Sequence, residues 1–356
     1  MIAAITLLIV AGGGAGAFLV LRHHNVPAAQ KPPHPRTTLP TASTPASASP
    51  TPAASSPAQA TPTPAGAAGW TYPTPVDQSA LENNNATIAG MSCLSATQCY
   101  AVDSGGNVLQ ASAKPGWAIV DTDPSAGLDS ISCASARFCA GVDSSGNAVI
   151  LSQGGWSDPI LIDPQSGRLT GVSCPTASFC VAVDDSGNAY SYTGSATRWA
   201  QTSVDRNSGL TSVSCPSAGF CAAVDSSGNA FTYRKGSWDA GTQADSNTGL
   251  TQVSCSSSAF CMAVDGNGGF AAFTQDRWTS GSIGTSAVAI SCPADGYCVA
   301  VDNSGGFVLY QHGAWSTATK IDGNNMFDAL SCSAVATCVG ADANNNVLNY
   351  SPAKSG

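Results

Sequence analysis

The chain has 356 residues, with 13 basic and 22 acidic side chains and a formal net charge of −9. The first 69 residues hold no acid, and from residue 70 onward ten basic side chains face all twenty-two acids, a balance of −12. An acidic excess of that size excludes a nucleic-acid binder, whose affinity rests on basic contacts to phosphate.

Residues 2–21, IAAITLLIVAGGGAGAFLVL, form an uncharged run of twenty. At helical rise such a run spans a hydrocarbon core of roughly 30 Å. A transmembrane helix or signal anchor is therefore expected over residues 1–24. A cleaved signal peptide is the alternative, although the run exceeds the usual h-region and no small-x-small site follows directly. Arg22 alone argues for a cytoplasmic carboxyl side, whereas the paired cysteines described below argue for an oxidising one, and they outweigh a single arginine. The expected location is the cell membrane, single-pass, with the rest extracellular, or else secretion. Gly12 and Gly16 have the spacing of a helix-dimer contact, but a lipid-facing role is the plainer reading.

Residues 25–69 are almost wholly Pro, Ala, Thr and Ser, with Lys31, His34 and Arg36 as the titratable exceptions. Such a segment cannot bury a core and is expected to be a disordered, polyproline-like stalk, roughly 140 Å at full stretch.

From residue 70 the chain repeats. Fourteen cysteines fall in seven pairs, each with five residues between its members: Cys93 with Cys99, Cys133 with Cys139, Cys174 with Cys180, Cys215 with Cys221, Cys255 with Cys261, Cys292 with Cys298, and Cys332 with Cys338. The units share one text: apolar, Ser, Cys, a short turn, Cys, x, small, Val, Asp, then a Gly-Asn turn and an alternating segment. In LTGVSCPTASFCVAVDDSGNAYSYTGSATRW, from Leu169 to Trp199, this reads as strand A before the first cysteine, strand B after the second, strand C after the turn, and a Trp that opens strand D. Four strands in about forty residues are the signature of a β-propeller blade. The fold class is therefore all-β, a seven-bladed propeller over residues 70–351, with 352–356 as a tail.

Strand B is expected to be apolar on both faces because both pack on neighbouring blades. An aromatic precedes the second cysteine in five units (Phe138, Phe179, Phe220, Phe260, Tyr297), and Ala or Gly stands two positions after it, letting twisted sheets approach. Six tryptophans follow a strand C, and Trp70 precedes the first unit; the last unit has none. The segment from Trp70 to about Asp77 is thus expected to supply the outermost strand of the last blade, closing the ring, and Pro73 and Pro75 suit an outer edge. Cysteines facing each other across an A–B hairpin predict a disulfide in each blade. Zinc is the alternative, but the spacing is wide and histidine nearly absent.

An aspartate stands four residues after every second cysteine: Asp103, Asp143, Asp184, Asp225, Asp265, Asp302 and Asp342. The expected role is to accept turn amides, with Gly in the left-handed position. A second acid near the end of strand D (Asp77, Asp163, Asp205, Asp245, Asp322) makes the same face acidic, so calcium or another hard cation is a candidate ligand there, although no loop has a dense calcium motif. No other cofactor is expected. Catalytic groups are few: His312, read as a surface residue, and Glu82 are the only histidine and glutamate from residue 70 onward. Arg137, Arg168, Arg198, Arg206, Arg234 and Arg277 fall in predicted loops and make no sialidase-like triad, and an Asp-box is absent. Paired aspartates still permit glycoside chemistry. The D–A loops vary most between units, and Tyr100, Met262, Arg206 and Asn207 depart from the repeat.

Units such as SCPSAGFCAAVDSSGNAF resemble the disulfide-bearing repeats of seven-bladed propeller domains in secreted and membrane-anchored actinobacterial proteins, some of which look like extracellular parts of receptors. The resemblance covers about residues 70–351, implies architecture, and transfers no functional residue. The expected function is a membrane-anchored, non-catalytic module that binds an extracellular ligand, protein or cell-wall polymer. An exported glycan hydrolase or lyase is the alternative, and a structural envelope spacer a third.

Overall fold

The computed structural model describes residues 69–76, 86–111, 116–123, 126–165, 167–194, 199–246 and 248–351. The expected anchor, the stalk, Asp77, Glu82 and the tail lie outside them. Among the described residues no helix is long and apolar enough to cross a membrane.

Seven antiparallel sheets follow one another in chain order, each with A, B, C and D in sequential pairing. Blade 3 shows the unit: A at Leu169–Thr176, B at Phe179–Asp184, C at Asn188–Tyr192 and D at Trp199–Ser203. Strand D is continuous in blades 1, 3 and 5 and split in blades 2, 4 and 6. The split falls where the side chain after the tryptophan accepts a strand C amide; in blade 5, where the strand is continuous, Thr279 instead donates to Ala272 O. Ser157 Oγ, Asp239 Oδ1 and Ser316 Oγ take the strand C amides of Ile150, Thr232 and Leu309 at 3.0 Å each. Side-chain oxygens thus supply ladder bonds that the strand D backbone otherwise makes.

The last blade is built from both ends of the domain. Its strands A, B and C are Phe327–Ala334, Thr337–Asp342 and Asn346–Tyr350, and its fourth strand is Thr74–Pro75, which pairs with Val347 and Asn346. Trp70 bridges to Tyr350, is 2 % exposed and packs on Phe307, Phe327 and Tyr350. The expected closure is observed.

The hydrophobic core is not inside the blades but between them. Seven buried clusters each draw on two adjacent blades. At the seam of blades 2 and 3, Phe138, Ala140 and Val142 meet Leu169, Val172, Cys174, Cys180 and Ala182. The period of two along strand B therefore sends the aromatic, the residue directly after the second cysteine and the Val toward the next blade, and the cysteine and the small residue two positions after it toward the previous one. Phe138–Tyr192, Phe179–Tyr233, Phe220–Phe273 and Phe260–Tyr310 stack across successive seams at 5.9–6.2 Å. Tyr100 and Met262, singled out as departures from the repeat, lie buried in two of these clusters. Their irregularity is a packing adjustment.

Every disulfide joins the two cysteines of one blade, as expected. The links run from Cys93 to Cys99, Cys133 to Cys139, Cys174 to Cys180, Cys215 to Cys221, Cys255 to Cys261, Cys292 to Cys298 and Cys332 to Cys338. No described cysteine is free. In blades 1, 2, 5 and 7 the two cysteines are direct cross-strand partners. The second cysteine of each pair is the deeper one: Cys99, Cys139, Cys261, Cys298 and Cys338 are each no more than 1 % exposed. These sulfurs are therefore structural, and the zinc alternative for the paired cysteines is excluded because each thiol is consumed by its bridge.

Strand A is the inner edge of every blade, and its outward amides have no strand to pair with. The serine before the first cysteine solves this. Its Oγ accepts the cysteine amide of the next blade, from Ser92 to Cys133 at 3.0 Å around to Ser291 to Cys332 at 3.0 Å, with Ser331 to Cys93 at 2.9 Å closing the circle. The other four bonds, from Ser132, Ser173, Ser214 and Ser254, are all 2.9 Å.

Candidate functional site

The seven repeated aspartates all end or directly follow strand B and lie buried. Their carboxylates fold the B–C turns, as the sequence implied. Asp225 is typical: Oδ1 accepts the amides of Ser227 at 2.9 Å and Asn229 at 2.7 Å, and Oδ2 accepts Asn229 Nδ2 at 2.7 Å. Gly187 and Gly228 take φ of +83° and +86°, and a Cβ there would meet a D–A loop carbonyl at 1.9 and 2.2 Å. Asn345 holds the same left-handed position in the last blade, and its side chain ties the seam shut through Ile88 N and Ala86 O.

Blades 5 and 6 replace the turn asparagine by Gly269 and Gly306, each with a Cβ position 2.6 Å from the aspartate Oδ2. Hydroxyls from the preceding loop fill the gap: Thr248 Oγ1 donates to Asp265 at 2.5 Å and Thr285 Oγ1 to Asp302 at 2.7 Å. Burial alone would raise both carboxyls, but these hydroxyls and the turn amides outweigh it and hold them below the usual carboxylate range.

Of the second acids, Asp163, Asp205, Asp245 and Asp322 are also buried; Asp205, Asp245 and Asp322 stand beside Asp225, Asp265 and Asp342 of the following blade, and Asp163 shares Tyr190 with Asp184. Asp123, missed in the sequence, completes the set in blade 1, and Gly284 replaces it in blade 5. The seams differ in what separates the two carboxyls. Tyr190 Oη bonds to Asp184 at 2.8 Å and is influenced by Asp163 as well, while Thr248 reaches both Asp245 and Asp265. Among the described residues no hydroxyl bonds to Asp322 or Asp342. Asp322 is 4 % exposed, its Oδ2 has no hydrogen-bond donor, and burial together with the Asp342 carboxylate pushes it up to about 6. Asp225, facing Asp205, is likewise raised, first by burial. Among the described residues no three acids, cysteines or histidines converge as a metal-binding group.

The acidic turns lie at the same end as the mouth of a polar central cavity of about 250 Å³, lined by the strand A segments of blades 1 to 5 and 7. The second residue of strand A, or in blade 5 the residue just before that strand, sets the chemistry of this mouth: Ala89, Asp129, Thr170, Thr211, Thr251 and Asp328, with Val288 at the same position in blade 6 but outside the cavity lining. Arg168, in the loop before blade 3, forks onto Asp129 through Nε at 3.0 Å and Nη2 at 2.7 Å. Asp328 is half-buried, and burial followed by the Asp342 charge pushes it up to about 6. Neither acid was singled out from the sequence. The signal was available in hindsight, since this register varies while the Ser-Cys step three residues on does not.

The remaining candidates sit apart. His312 is exposed in a C–D turn, as expected. Asn207 is used in the Asp205 loop turn, and Arg206 is exposed beside it. Arg234 and Arg277 are not loop residues but the end of a strand C and the start of a strand D. Arg234 binds Asp276 at 2.6 Å and stacks over Phe220 at 4.9 Å, on the outer rim and away from the channel.

No family model matches the chain, and no curated protein matches it. Solved structures do. The chain is similar to the WD40 β-propeller domain of Doa1, with a TM-score of 0.66 and 11 % identity over 81 % of this chain and 98 % of that one. It is similar to YCF48 bound to D1 peptide, with a TM-score of 0.64 and 13 % identity over 80 % and 97 % of the two chains. YCF48 from Cyanidioschyzon merolae gives 0.62 and 14 % over 80 % and 99 %. At these identities the likeness is one of fold: the chain is a seven-bladed β-propeller with a disulfide in every blade.

Proposed function

We propose that this domain is a non-catalytic binding module for an extracellular protein or cell-wall polymer, held at the cell surface by its amino-terminal segment. The observation that carries this reading is the division of labour within the repeat. Serine, cysteine and the turn aspartate are consumed by seams, staples and turns, whereas the second residue of strand A and the D–A loops vary from blade to blade on one face. A rigid scaffold with one variable face is the arrangement of a recognition surface. Propellers of this fold include one whose structure holds a bound peptide, and the acidic balance of −12 favours a basic partner.

The test is retention of cell-wall fractions and culture proteins by the oxidised full chain, with Asp129→Lys and Asp328→Lys reversing the mouth charge and Asp276→Lys as an outer-rim control. Loss of retention in the mouth variants alone is expected. Equal retention by all of them would sink the reading.

One observation favours the glycan-hydrolase reading: Asp129 with its arginine and the raised Asp328 occupy the same mouth, and two carboxyls in different environments are what glycoside chemistry uses. Release of soluble sugar from wall polymers, abolished in Asp328→Asn, would establish it; blade 1, contributing Ala89, intervenes between the two acids.

A further inference from the structure

The channel mouth is chemically one-sided. Thr170 Oγ1 spends its proton on Leu210 O at 2.7 Å, Thr211 Oγ1 on Leu250 O at 2.7 Å, and Thr251 Oγ1 on Val264 O at 3.1 Å. Each hydroxyl therefore presents only lone pairs to the cavity it lines. Together with Asp129 and Asp328 the polar side chains at this ring position are acceptors, while Ser130, Ser212 and Gln252, which also line the cavity one residue further along the chain, turn their oxygens to amides of the next blade. A guest matched to such a lining is a donor without acceptors.

The two acids of the ring are not equivalent. Asp129 is neutralised by Arg168, the residue just before strand A of the following blade. For Asp328 the following blade is blade 1, and the corresponding residue is Thr87. The position that compensates one acid is neutral for the other. Among the described residues Arg168–Asp129 and Arg234–Asp276 are the ion pairs present, and no donor reaches Asp328. Its charged neighbour is Asp342, and behind Asp342 stands Asp322, whose buried Oδ2 has no donor either. Ionised, this seam gathers negative charge that turn amides and asparagines meet at Asp342 and Asp322 but that no described cation pairs with, at the edge of a cavity large enough to admit a side chain.

We propose that the channel mouth beside Asp328 receives one basic side chain, a lysine ammonium or an arginine guanidinium, projecting from a protein partner. The ammonium brings three donors and no acceptor, the complement of the threonine arc and Asp328. A divalent cation fits less well, because the acids here do not converge as a metal-binding group. Binding occurs only where Asp328 is ionised, so acid weakens it; the groups that set this are Asp342 and Asp322 at the same seam and the Asp129–Arg168 pair two blades away. This site specifies the protein-binding form of the function proposed above and rests on it.

The test uses the oxidised full chain and two end-blocked pentapeptides, Gly-Gly-Lys-Gly-Gly and its norleucine counterpart, which keeps the aliphatic stem and lacks the ammonium. Ligand-observed saturation-transfer NMR reports which peptide protons touch the protein. The lysine stem is expected to take up saturation and the norleucine stem not. Asp328→Asn is expected to weaken the lysine signal on the order of tenfold, as is a shift from about pH 7.5 to about pH 5. Intact disulfides and an unchanged circular dichroism spectrum confirm that Asp328→Asn is folded. Equal signals from the two peptides, or an Asp328→Asn signal equal to that of the parent, would overturn the site. Retention of wall or culture partners sensitive to Asp129→Lys but not to Asp328→Asn would also overturn it, while leaving the binding-module reading intact.

Discussion

The Ser331 hydroxyl accepts the Cys93 amide at 2.9 Å, across 238 residues of sequence, with the geometry that joins Ser173 to Cys215 between adjacent blades. The closing seam is thus bonded like the others. Ser331→Ala and Ser173→Ala each strand one inner-edge amide, and each is expected to cost about 1–2 kcal/mol. Denaturant midpoints of the two variants should agree. A far larger loss for Ser331→Ala would show that closure depends on this bond alone.

Trp70 fastens the amino-terminal strand by packing on Phe307, Phe327 and Tyr350. Removing its ring in Trp70→Ala leaves a cavity at that seam and is expected to cost about 3–5 kcal/mol. Hydrogen exchange should show the loss first in the amides of Asn346–Tyr350 that pair with the amino-terminal strand. Uniform loss across all seven blades would mean that the ring unfolds as one unit.

Each disulfide closes a loop of seven residues, worth about 2 kcal/mol by chain entropy. Replacing Cys215 and Cys221 together by Ser adds a packing loss, because both sulfurs belong to the core between blades 3 and 4. The double variant should still fold, with a lowered midpoint and the remaining six links intact by peptide mass mapping. Links between different blades would contradict the architecture.

Stability should respond to pH in two opposite senses. Asp322 and Asp328 are raised to about 6 by burial and by Asp342, so the folded state holds their protons more tightly than the unfolded chain does. Their contribution is fully present below the unfolded carboxylate value near 4 and is lost as pH rises through about 6. Asp265 and Asp302 are lowered, so their contribution is present above the unfolded value and lost as pH falls below it. Midpoints between about pH 4 and pH 7 should therefore fall with rising pH, and Asp322→Asn should flatten the slope. A slope unchanged in that variant would remove Asp322 as its cause.

Asp184 and Asp225 are occupied by turn amides and asparagine side chains rather than held open. Chelation of divalent cations is accordingly expected to leave the melting midpoint unchanged, whereas Asp225→Ala strands two turn amides and should cost on the order of 2 kcal/mol or more. A midpoint that drops on chelation and recovers with calcium would assign the acidic face to a cation instead.

The amino-acid sequence by itself determined the blade count, the pairing of cysteines within hairpins, the turn role of the seven aspartates and the closure through Trp70. Each depends on residues adjacent along the chain or on counting a period, and local geometry in a hairpin or turn is dictated by neighbours. The tertiary structure alone decided the rest: that Ser92 serves Cys133, that Thr285 replaces a missing asparagine for Asp302, that Asp322 lies against Asp342, and that Arg168 neutralises Asp129 while Thr87 leaves Asp328 bare. Most of these contacts cross a seam between blades. Their partners are set by the twist and register of two packed sheets, which no periodicity within one repeat encodes.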